Sequence, residues 1–111
     1  MAGISVHAVD IAAGCPAAGL RVDLFRIAAD ARVALLHGGI TDAAGMLTIP
    51  GEIHGRFEAV FHLGDYLRTT GHGGEIFQER LVFAFGIDKP GRHHHLPLKF
   101  TAFGCSLFLT H

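Results

Sequence analysis

The sequence predicts an all-β fold: an antiparallel β-sandwich of seven or eight short strands with one short helix. Three observations predict it. Apolar residues recur at every second position in short segments, the period of a half-buried strand. Gly- and Pro-containing turns separate those segments at regular spacing, as in sandwiches. Only one stretch, DYLRTT at 65–70, reads as helical.

In chain order, Ile4, Val6 and Ala8 alternate with Ser5, His7 and Val9 to give a first strand. GCPAAG (14–19) turns the chain, with Gly14, Pro16 and Gly19 as punctuators. Leu20, Val22 and Leu24 then alternate with Arg21, Asp23 and Arg26, a strand with one wet face. A weaker strand covers Ala34 to His37, GGITDAAG (38–45) is a turn-rich loop, and Pro50 closes a short strand from Met46 to Ile49. Arg56 to Leu63 is the clearest strand, with Phe57, Ala59, Phe61 and Leu63 inward and Arg56, Glu58 and His62 outward. In the helix, Asp65 is placed to cap or charge the first turn and Gly71 to end it. GHGG (71–74) is a connection, Leu81, Phe83 and Phe85 mark the next strand, and IDKPG (87–91) closes it. The last two strands are His93–Phe100 and Phe103–Thr110.

The stretch RHHHLPLKFTAFGCSLFLTH (92–111) carries the most chemistry. A period of two places His93, His95 and Pro97 on one side of a strand and His94, Leu96 and Leu98 on the other. An interior proline is tolerated mainly at an edge or bulge, so this strand should border a site or an interface. The apolar alternation running to the last residues predicts that packing holds them.

Composition narrows the function. The 111 residues make one domain, 1–111, since domains most often run ~100–150 residues. Half the residues are hydrophobic and nine are Phe, an apolar surplus that favours an oligomer. A formal charge of −1 with nine Lys and Arg gives no electrostatic case for nucleic acid. No apolar run approaches the ~20 residues of a membrane span, and the N-terminus has no signal-peptide pattern. Two cysteines, Cys15 and Cys105, are too few for a disulfide framework, so a reduced, cytoplasmic protein is expected. Nine histidines are the anomaly, because a cluster of them is pH-sensitive or metal-competent.

Four stretches, spread over nearly the whole chain, resemble the transthyretin-like family, whose enzyme branch is 5-hydroxyisourate hydrolase. ISVHAVDIAAGCPAAGLRVDLFR resembles the family's opening strand–turn–strand, ITDAAG its T-N/D-x-D-G loop, RFEAVFHLGDYL its strand leading into the helix, and RHHHLPL its H-Y-H-V-P-L block. The resemblance implies an eight-stranded sandwich, a homotetramer (a dimer of dimers) and sites in a channel between dimers. It also implies catalytic roles for His7 and His95, which match the family's histidine in SVH and the second histidine of H-x-H. The remaining family positions are changed. Met46 stands for an arginine, and Phe108, Leu109, Thr110 and His111 stand for a C-terminal Tyr-Arg-Gly-Ser.

Ring opening of a cyclic amide or lactone by water needs a base, donors for the developing oxyanion and groups that orient the ring. His7 and His95 have an intrinsic pKa near ~6.5, suited to proton exchange at neutral pH. An arginine fork makes bidentate contacts that Met cannot mimic. With both arginines replaced, activity on 5-hydroxyisourate is expected to be weak or absent, and Met46, Phe108 and Leu109 form an apolar wall for a less anionic ring. His111, with its carboxylate, is placed to orient one of the other imidazoles. His94, facing the other way, reads as structural, and His37, His54, His62 and His72 as surface residues.

Other readings remain open. Zinc takes imidazole ligands, and catalytic zinc sites often use three protein ligands, so His7, His93 and His95 form the alternative metal set; no cofactor is otherwise expected. Cys105 is expected to be packed and inert, and GHGG lacks the strand–loop–helix context of a phosphate loop. A small-molecule enzyme and a non-catalytic carrier of an aromatic ligand both fit. The retained imidazoles favour the enzyme; the lost arginines and tyrosine favour the carrier.

Overall fold

The computed structural model describes residues 3–51, 53–88 and 91–110. They form an all-β sandwich of two sheets with one short helix. The first sheet contains β1 (Gly3–Asp10), β2 (Cys15–Pro16), β5 (Met46–Pro50), β8 (His93–Phe100) and β9 (Cys105–Leu107). The second is ordered β4 (Val33–Ile40), β3 (Arg21–Ile27), β6 (Gly55–Phe61), β7 (Leu81–Ile87). Helix α1 spans Leu63–Thr69.

Alternation sets the core. Ile4, Val6 and Ala8 from β1 and Leu96, Leu98 and Phe100 from β8 turn inward, against Val22, Leu24, Phe57, Ala59 and Phe61 of the second sheet. Successive strand residues point to opposite faces, so Ser5, His7, His93, His95 and Pro97 fall on the outer face of the first sheet. His94 is buried on the core side, with its Nδ1 3.0 Å from the Arg92 carbonyl. The pairing is antiparallel except between β1 and β8, which run parallel with Ser5 opposite His95 and His7 opposite Pro97.

Several elements depart from expectation. Helix α1 starts at Leu63, so this residue is the buried first position of the helix and not the end of a strand. Its N-cap is His62, without a side-chain capping bond, and Asp65 lies inside the first turn, where its charge suits the helix dipole. Gly71, at φ 98, follows the helix end, a conformation that glycine adopts without steric cost. Strand β4 runs to Ile40, because Gly38 and Gly39 pair with Asp23 and Val22, and the turn narrows to 41–45. Cys105, expected to be packed, is exposed, as is Cys15.

Strand β8 is not a sheet edge, since β1 pairs on one side and β9 on the other. Pro97 is accommodated by a break in the β8–β9 ladder instead. His95 exchanges backbone hydrogen bonds with Thr110 (2.8 and 2.9 Å), and the ladder resumes at Leu98–Leu107. Between them Pro97 has no N–H to offer, which confines the last strand to Cys105–Leu107 plus an isolated bridge at Thr110. Arg68 and Glu79 form an ion pair that fastens the segment after α1, and Gly64 leaves the space the Glu79 carboxylate occupies.

Candidate active site on the outer face of the first sheet

Register determines which outer-face residues meet. On one rung, Thr48 of β5, Ser5 of β1 and His95 of β8 stand side by side, with Thr110 bridged to His95. On the next, Met46, His7 and Pro97 align. The register joining Leu98–Leu107 to His95–Thr110 puts exposed Phe108 beside Pro97 and Leu109 beside Leu96. Lys99, opposite Val9, is a cation one rung beyond His7.

The imidazoles are not independent. Ser5 Oγ lies 2.6 Å from His95 Nδ1 and 2.9 Å from His93 Nε2. Burial holds the His95 imidazole below the ordinary histidine value of 6.5, and repulsion from His7 and then from His93 adds to that. At neutral pH His95 is therefore uncharged, able to accept a proton.

His7, His95, Met46 and Phe108 thus share one face. Leu109, expected in the apolar wall, packs against the core instead because it falls on the alternate side of the strand. His111 lies outside the described residues. Among the described residues, no three His, Cys, Asp or Glu side chains are gathered as a ligand set. His62, expected at the surface, is half-buried with Nε2 2.9 Å from Asp23 Oδ2.

Sequence reasoning missed Ser5. The period of two that pairs His93 with His95 also puts Ser5 on the face of His7, and the register then places it opposite His95. Concavities of about 260–360 Å³ lie elsewhere, lined by residues such as Arg56 and Phe85 or Lys99 and Cys105. The histidines stand on an open sheet face, whereas small-molecule sites are concave.

The sequence profile of the HIUase/Transthyretin family matches residues 4–109. The chain belongs to the HIUase/Transthyretin family. Within it, 5-hydroxyisourate hydrolase 2 of Rhizobium meliloti (strain 1021) is 34% identical over 117 residues, covering 95% of this chain and 92% of that protein. The solved 5-hydroxyisourate hydrolase of Klebsiella pneumoniae superposes with a TM-score of 0.82 at 28% identity, over 98% of this chain and 99% of that one. Sea bream transthyretin, solved with thyroxine, superposes with a TM-score of 0.88 over 96% of this chain and 93% of that one; at 22% identity this shows a shared fold. The HIUase/Transthyretin match spans His7, Met46, His95 and Phe108, so the outer-face cluster lies within the family domain. No helix among the described residues is long and apolar enough to cross a membrane.

Proposed function

We propose that this member of the HIUase/Transthyretin family is a hydrolase that opens a small cyclic amide or lactone less anionic than 5-hydroxyisourate. The observation that carries the reading is the placement of His7 and His95 on adjoining rungs of one sheet face, with Met46 and Phe108 on the rung of His7. His95, held neutral, acts as general base toward water. His7 acts as the acid or donor to the carbonyl oxygen and the departing ring atom. Met46 and Phe108 form the apolar wall, and His111 is assigned to orienting an imidazole. The open face is completed by subunit contacts in a homotetramer, as a flat surface cannot by itself exclude water from the reaction. Light scattering tests the assembly: a monomeric mass at working concentration contradicts it.

The relatives' names support the hydrolase class and favour a second reading, a 5-hydroxyisourate hydrolase with an atypical site. Against it, Met46 brings no donor or charge beside His7, and removal of one oxyanion donor commonly costs ~10²–10³ in turnover. A carrier of an aromatic ligand is the third reading, favoured by the same apolar wall. Rates on freshly generated 5-hydroxyisourate and on a panel of neutral lactams and lactones discriminate. We expect kcat/KM on 5-hydroxyisourate to fall below that on the best neutral ring. Robust turnover of 5-hydroxyisourate alone overturns the substrate class, and binding without any turnover favours the carrier.

A further inference from the structure

Ser5 and His93 have no part in the reaction just described, yet both are tied to His95. The Ser5 hydroxyl sits between two imidazole nitrogens, 2.6 Å from His95 Nδ1 and 2.9 Å from His93 Nε2. A hydroxyl has one proton and two lone pairs. It cannot donate to both rings, so at least one ring donates to it. The Ser5 side chain is buried and directly opposite His95, so this bridge is built into the β1–β8 register. Opposite His93 stands Gly3, which has no side chain to occupy the same rung.

We propose that His95, Ser5 and His93 form a proton relay in which Ser5 is a positioning residue that fixes the His95 tautomer. In this relay His95 Nδ1–H donates to Ser5 Oγ and Ser5 O–H donates to His93 Nε2, which leaves His95 Nε2 as the ring nitrogen that accepts a proton.

The inference rests on the hydrolase reading and extends it. As the water oxygen bonds to the carbonyl carbon, one water proton passes to His95 Nε2. The Nδ1 proton moves to Ser5 Oγ, and the Ser5 proton moves to His93 Nε2. His95 is left neutral, carrying Nε2–H, and the positive charge resides on His93. The return step gives the Nε2 proton to the departing ring atom or to water, while the His93 proton passes back through Ser5 to Nδ1. Burial and the neighbouring imidazoles disfavour a cation on His95, and the relay moves the charge off that ring.

The test needs no substrate. Imidazole nitrogen NMR at neutral pH reads the tautomer directly. Wild type is expected to show His95 as Nδ1–H, Ser5→Ala to switch it to Nε2–H, and Ser5→Thr, which keeps the hydroxyl, to restore the wild-type pattern. An Nε2–H tautomer in wild type, or a pattern unchanged in Ser5→Ala, overturns the relay. In turnover, Ser5→Ala and His93→Gln are expected to lower kcat about tenfold with KM unchanged, the scale of one hydrogen bond. If His95→Ala is inactive while Ser5→Ala and His93→Gln are fully active, the relay falls and the site stands. If His95→Ala is fully active, the hydrolase reading of the site falls.

Discussion

In the proposed reaction His95 is the base, and its burial has a measurable sign. Its folded pKa is lowered, so the fold favours the neutral ring. The contribution to stability is complete above the unfolded value of ~6.5 and is lost as pH falls through the folded value. Activity limited by a neutral His95 should follow the same order, with an acid limb displaced below the ordinary histidine value. A kcat/KM profile with its acid limb at or above that value contradicts a buried base. Elsewhere, Tyr66 donates to Asp10 at 3.0 Å inside the core, and burial first, then this bond, raises the phenol to about 12. Tyr66→Phe leaves the buried carboxylate without this donor, and we expect a loss of ~1–3 kcal/mol in denaturant unfolding. An unchanged midpoint contradicts the accounting. The histidine pattern was legible in the sequence, but the Ser5 bridge was not. Alternation gives the face of a residue, and only the parallel β1–β8 register gives its neighbour.

At the scale of elements, the turn after Thr41 holds the Met46 end of β5 against His7. Asp42 Oδ1 accepts from the amides of Ala44 and Met46, both at 2.9 Å, and the Gly45 carbonyl accepts from Ala8 at 2.8 Å. Gly45 has φ 77, and a Cβ there would stand 2.4 Å from the Ala8 carbonyl oxygen, a backbone atom that cannot swing away. Gly45→Ala should therefore destabilise by ~2–3 kcal/mol, combining left-handed strain with a steric clash. A thermal midpoint equal to wild type contradicts this role. The strands themselves were legible because Ile4, Val6 and Ala8, or Phe57, Ala59 and Phe61, repeat cleanly at two. The ends of the elements were less so. Gly38 and Gly39 read as a loop, but cross-strand pairing with Asp23 and Val22 recruits them into β4. Leu63 continues the alternation of β6 and is nevertheless helical and buried.

In the molecule as a whole, two sheets bury their facing sides, and the outer side of the first carries a row of imidazoles flanked by apolar residues. The family fold was legible through four short stretches. The open site was not, because no single-chain pattern shows what covers an outer sheet face. The proposed hydrolysis requires His7 and His95 to act together in ring opening. The most direct measurement is turnover and ligand affinity of His7→Ala and His95→Ala beside wild type, on the best neutral ring found, with each variant's fold confirmed by circular dichroism. A loss of ~10²–10⁴ in kcat is expected for each with affinity retained, the range of general acid–base catalysis. Undiminished turnover in either variant, or a change confined to affinity, would contradict it.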